Sequence, residues 1–184
     1  MTNTTLIAIV AVVAIAAVVV AWIFMERRKR ELLKARFGPE YERTVHDAGT
    51  PRKAESILER REKRVSKYRI RRLTPEELRH FTEAWRRVQA MFVDEPDTAV
   101  READTLVTEV MTTQGYPMTD FERQAEDLSV DHAGVIHHYR EARVILDRHA
   151  RKEASTEGLR QALVHYRALF DDLLETAEPE RRRA

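Results

Sequence analysis

The stretch TPEELRHFTEAWRRVQAMF, Thr74 to Phe92, decides the fold. Thr74 can accept a hydrogen bond from a first-turn amide, Pro75 suits the first helical position, and Glu77 completes a capping box, so a helix is expected to begin here. Behind that start, Leu78, Phe81, Trp85, Val88 and Phe92 recur at heptad-like spacing and give the helix one apolar face. A face of this kind needs partners. The chain downstream supplies four more helical segments.

Asp94 to Asp97 breaks the first of these helices, and a second is predicted from about Thr98 to Thr113, with Val100, Ala103, Val107, Val110 and Met111 inward and Gly115 as its C-cap. Met118 to Leu128 reads as a short helix opened by Thr119 or Asp120. Ser129 or Asp131 then caps a longer one to about Lys152, with Val135, Tyr139, Ala142, Leu146 and His149 on one stripe. The last runs from Ser155 or Thr156 to about Glu175 on Leu159, Leu163, Tyr166, Phe170 and Leu173. No segment alternates as a strand does. The expectation is an all-α chain whose body, residues 74–176, is a compact antiparallel bundle of about five helices, followed by a frayed tail at 177–184.

Upstream of the body the chain changes character twice. Residues 26–73 read as a basic helical linker: Glu26 to Phe37 forms one helix, Gly38 and Pro39 stop it, Pro39 to about Asp47 forms another, and Pro51 to about Tyr68 a third. The third carries Ala54, Ile57, Leu58, Val65 and Tyr68 on a thin apolar stripe interrupted by Arg61. Before the linker lies Leu6 to Met25, LIAIVAVVAIAAVVVAWIFM, without a charge or a side-chain amide. At about 1.5 Å per residue it spans roughly 30 Å, the thickness of a bilayer's hydrocarbon core. Residues 1–25 therefore read as a short tail and a transmembrane helix. A cleaved signal peptide fits poorly, because MTNTT has no Lys or Arg and the run ends on the bulky Trp22, Ile23, Phe24 and Met25.

The net charge of +1 conceals a split. Residues 26–72 hold 17 Lys and Arg against 8 Asp and Glu, a balance of +9, whereas residues 73–184 hold 15 against 23, a balance of −8. Arg27, Arg28, Lys29, Arg30, Lys34 and Arg36 crowd one end of the apolar run and none flank the other, so the positive-inside rule puts the body in the cytoplasm and the N-terminus outside. The same six side chains are candidates for contact with anionic lipid head groups. Nucleic acid is disfavoured as a partner, since the basic stretch lacks interleaved aromatic residues.

Candidate chemistry is thin. Cysteine is absent, which excludes disulfides and thiolate metal sites, and glycine is too scarce for a phosphate-binding loop. Five of seven histidines, His132, His137, His138, His149 and His165, fall in the last third, but without HExxH or paired Glu-x-x-His segments. No metal or cofactor is expected on these grounds. One tripeptide recurs, His138-Tyr139-Arg140 and His165-Tyr166-Arg167, with each tyrosine on an apolar stripe. These six residues are candidates for a polar pocket; the plainer reading packs both tyrosines in the core with their hydroxyls bonded and sends both arginines to solvent.

The stretches RFGPEYERTV at 36–45, LSVDHAGVIHHYREA at 128–142 and LRQALVHYRALFDDLL at 159–174 resemble a group of uncharacterised bacterial single-pass membrane proteins with an N-terminal anchor, a basic linker and a helical C-terminal domain. The resemblance implies a bacterial origin and the same order of parts, and it carries over no functional residue. The function expected from all this is a membrane-anchored interaction or scaffold module that binds a protein or a second copy of itself. The alternative is a tethered helical domain that binds a ligand or metal.

Overall fold

The computed structural model describes residues 3–151, 153 and 155–175, with side chains from residue 11 onward. The described residues form eight helices and no strand: α1 (Asn3–Phe37), α2 (Pro39–Ala48), α3 (Pro51–Val65), α4 (Pro75–Met91), α5 (Pro96–Gln114), α6 (Phe121–Asp131), α7 (Ile136–Ala150) and α8 (Thr156–Glu175). Proline at the first turn starts α2, α3, α4 and α5, where its missing N–H has no intrahelical partner to lose. The capping box at Thr74 is present, with the Thr74 hydroxyl accepting from the Glu77 amide at 3.2 Å and Glu77 accepting from the Thr74 amide at 2.8 Å. Asp120 caps α6 by accepting from the Arg123 amide.

The body's core is built by α4, α5, α6, α7 and α8. Phe81, Trp85 and Val88 of α4 meet Val100, Ala103, Val107 and Val110 of α5 and Leu159, Tyr166, Phe170 and Leu173 of α8, and Trp85 stacks on Phe170 with ring centroids 4.7 Å apart. Helices α5 and α8 run parallel. Tyr166 lies against Asp104 and Gln114 against the Leu173 carbonyl, so both indices rise together. The bundle is therefore not uniformly antiparallel.

The expected cap for α7 is corrected. Ser129 and Asp131 belong to the last turn of α6, and a break at residues 132–135 separates them from Ile136. Ser129 is fully buried and its hydroxyl is engaged with the Glu126 carbonyl, so tertiary packing extends α6 by one turn beyond its predicted end.

Residues 26–65 fold as a second, smaller unit. Leu33, Phe37, Tyr41, Leu58 and Val65 form a separate apolar cluster that takes in Val130 of α6, with Val45 and Tyr68 at its edge. The basic linker thus docks on the body through α6. Among the described residues no helix is long and apolar enough to cross a membrane. Side chains before Ala11 lie outside the described residues, and eighteen residues counted from Ala11 already take in Glu26, Arg27 and Arg28. The described residues thus give the expected anchor over Leu6 to Met25 no support. The frayed tail expected at 177–184 lies outside them too.

Candidate functional site

The charge split of the sequence becomes an interface. Glu40 of α2 is almost fully buried, and three helices meet at its carboxylate. Arg61 of α3 donates from Nη1 to Oε1 at 2.8 Å, while Arg140 of α7 donates from Nη1 and Nη2 at 2.7 and 3.0 Å. Arg61 also donates to the Ser129 hydroxyl at 3.3 Å and lies 3.6 Å from Glu126, both on α6. One turn further along α3, Arg64 pairs with Asp127 at 2.6 Å and Glu126 at 3.0 Å, and the Tyr68 hydroxyl donates to Asp127 at 2.8 Å. Arg36 of α1 reaches Glu62 at 3.1 Å and Asp131 at 3.6 Å. Base on residues 26–72 therefore meets acid on α6, and the residue that interrupts the α3 stripe, Arg61, is the buried centre of that contact.

The tripeptide repeat does not close into one pocket. Tyr139 and Tyr166 pack edge to face at 6.4 Å, and Tyr166 donates to Asp104 at 2.8 Å while Tyr139 donates to Gln124 at 3.3 Å. Burial, with the Asp104 carboxylate nearby, drives both phenols well above their ordinary pKa, so both stay neutral donors. His138 and His165 face each other across α7 and α8, their Nδ1 atoms 2.9 Å apart, and the His137 ring lies 3.9 Å from that of His138. Burial first, then the neighbouring His137 and His165, pull His138 below the usual histidine value. The arginines diverge. Arg140 leaves for Glu40, and Arg167 lies over the Trp85 ring and pairs with Asp171 at 2.6 Å. Opposite departures follow from α2 covering one side of the α7–α8 pair and α4 the other.

Among the described residues no group of three or more His, Cys, Asp or Glu could hold a metal ion. His132 is buried against Asp172 at 2.5 Å, and His149, on the predicted inward stripe, pairs with Asp97 at 2.5 Å. An open groove of about 1100 Å³ lies elsewhere, between α4 and α5, lined among others by Glu76, His80, Phe81, Asp104, Thr108 and Glu109. No candidate residue except Tyr166, through Asp104, touches it.

No family model, characterised protein or solved structure matches this chain. The site is therefore read from its own geometry.

Of the six head-group candidates, four have protein partners. Lys29 pairs with Glu59, Arg30 with Glu55 at 2.7 Å, Lys34 lies over the Tyr41 ring at 5.5 Å, and Arg36 is shared between Glu62 and Asp131. Arg27 and Arg28 are exposed, with no ion pair among the described residues. Sequence reasoning missed Glu40, Arg61, Glu126 and Asp127. The one available signal was a charged residue, Arg61, on an otherwise apolar stripe, because such a side chain is tolerated in a core only when paired.

Proposed function

We propose that the chain is a membrane-anchored helical interaction or scaffold module, its body facing the cytoplasm of a bacterium and binding a protein partner or a second copy of itself. One observation carries the reading. Every described side chain of the apolar run, Ala11 to Met25, is exposed, and Val12, Val18 and Phe24 each keep about two thirds of their surface open. A helix apolar on all sides belongs in a core or in a lipid bilayer, and no core of this chain receives this one. With Leu6 to Val10 the run has the length of a bilayer crossing, and the basic residues after it favour a cytoplasmic body. The resemblance to single-pass membrane proteins at 36–45, 128–142 and 159–174 points the same way.

The docked linker supports a scaffold role: through Glu40, Arg61 and Arg140 the body is fixed to α2 and α3, and α3 is paired with α1, so a bound partner would be held at a set height. Carbonate extraction tests the anchor and a C-terminal reporter fusion tests the orientation. The chain is expected to stay in the membrane pellet with a cytoplasm-active reporter. Release by carbonate, or a reporter active only outside, rejects the reading. Proximity labelling from the body then identifies the partner.

A second reading, a tethered ligand-binding domain, is favoured by the groove between α4 and α5, where acidic and threonine side chains line an apolar floor at Phe81. Native mass spectrometry of the detergent-extracted chain decides it, because a stoichiometric small molecule is expected there and a bare mass rejects it.

A further inference from the structure

Ion pairs between α1 and α3 fix their relative register. Glu26 pairs with Arg52 at 3.4 Å, Arg30 with Glu55 at 2.7 Å, Lys29 with Glu59, and Arg36 with Glu62 at 3.1 Å. The partners' numbers rise together, so α3 runs parallel to α1 and begins where the apolar run ends. A hollow beside Arg52 is walled by Trp22 and Met25 as well as Glu26. The turn between α2 and α3, which precedes Arg52, therefore lies level with the last apolar turn of α1 and with its interfacial tryptophan.

That turn is positively charged at its surface. The Arg52 side chain is 76% exposed, Lys53 and His46 are exposed, and Arg27 and Arg28 stand exposed on the neighbouring turn of α1. The carboxylates at this level are Glu26, held by Arg52, and Asp47, beside Arg43 and His46. Four permanent cations against two carboxylates leave a basic surface. Lys29, Arg30 and Arg36, by contrast, face inward to α3 glutamates.

We propose that the α2–α3 turn, residues 46–53, rests in the head-group layer of an anionic bilayer through Arg52 and Lys53, beside Arg27 and Arg28. It is a second membrane contact, and it holds the three-helix neck upright on the leaflet. The inference rests on the anchored reading above. Anionic lipid is the partner because each cation near such a surface favours contact by about 1 kcal/mol, roughly five-fold in population.

The chain has no cysteine, so single introduced cysteines can carry an environment-sensitive fluorophore at chosen sites of the full chain in vesicles. Thr50→Cys reports the turn, Lys67→Cys the far end of α3, about 25 Å away at 1.5 Å per residue, and Val18→Cys the apolar run. In vesicles of phosphatidylglycerol with phosphatidylcholine, the probe at 50 is expected to be quenched by head-group-labelled lipid and the probe at 67 to remain aqueous. Arg52→Gln and Lys53→Gln are each expected to lower the ratio of contacted to free turns at 50 about five-fold, with quenching at 18 unchanged. An aqueous probe at 50 with a buried probe at 18 overturns the proposal and leaves the anchor standing. An aqueous probe at 18 overturns both. Equal quenching at 50 in pure phosphatidylcholine, insensitive to Arg52→Gln, overturns the assignment to anionic head groups.

Discussion

Arg140 grips the Glu40 carboxylate with two hydrogen bonds, 2.7 and 3.0 Å long, across 100 residues of sequence. The same carboxylate takes Arg61 at 2.8 Å, so one acid of the neck neutralises two arginines, one from its own unit and one from the body. The Nε atoms of both arginines are buried without a hydrogen-bond partner, and Arg140 depends on Glu40 for its compensation, while Arg61 also reaches Ser129 and Glu126. Well-packed apolar residues serve stability as well as a buried ion pair does, but an unpaired buried charge does not.

Glu40→Ala strands Arg140 and leaves Arg61 only Ser129 and Glu126, and is expected to cost about 3–5 kcal/mol, whereas the triple change Glu40→Met, Arg61→Met and Arg140→Met, which leaves neither arginine unpaired, costs much less. Chemical denaturation of both variants measures the difference. Equal losses would show that the site is held by packing alone.

Gly115 ends α5 with φ +102°, and a Cβ there would stand 2.5 Å from the Arg69 carbonyl oxygen. That oxygen belongs to the backbone that joins α3 to α4, so it cannot swing aside as a side chain would. Gly115→Ala is expected to destabilise by about 1–3 kcal/mol, read as a lowered thermal midpoint.

Tyr166→Phe removes the hydroxyl that donates to Asp104 at 2.8 Å and is expected to cost about 1 kcal/mol, since Asp104 keeps Arg143 at 3.6 Å. Tyr139→Phe, whose bond to Gln124 is 3.3 Å long, costs less. Paired melts rank the two, and the reverse order would contradict the geometry.

Glu77 is pushed down from 4.5 to about 2, first by Arg71 and then by the Thr74 amide. The unfolded chain binds the proton more readily, so the stabilisation is complete above about pH 4.5 and is lost as the pH falls towards 2. Glu77→Gln is expected to flatten that part of the pH–stability curve while leaving higher pH little changed in slope.

His138 is shifted below the ordinary 6.5 by burial and by His137 and His165. The folded state thus prefers the neutral ring, and its contribution is present above pH 6.5 and fades as the solution is acidified through that value and below. The 2.9 Å contact needs one Nδ1 to donate and the other to accept, so double protonation breaks it. Titration of the His138 ring by NMR in the chain and in His165→Gln should show a smaller depression in the variant.

Local signals in the sequence were strong where backbone chemistry is local. The Thr74 capping box, the stops at Gly38 and Gly115 and the proline starts are each decided within one turn of chain, and the helices they bound follow. The α7 start failed for the opposite reason. Ser129 and Asp131 look like caps, but Ser129 is drawn into α6 by the Glu126 carbonyl within its own turn and by Arg61, a partner 68 residues away that no short window contains.

By itself the sequence determined an all-helical chain, its break points, the faces that would be buried, and the division into apolar run, basic neck and acidic body. These depend on periodicity, capping and charge counts, all properties of neighbouring residues. Only the tertiary structure decided that the neck's base would be met by the body's acid, that Arg140 and Arg167 would part company, and that α5 and α8 would run parallel. The partners in those relationships lie 59 to 100 residues apart, as with Gln114 and Leu173 or Glu40 and Arg140, and pairing at such range is chosen by packing of whole helices.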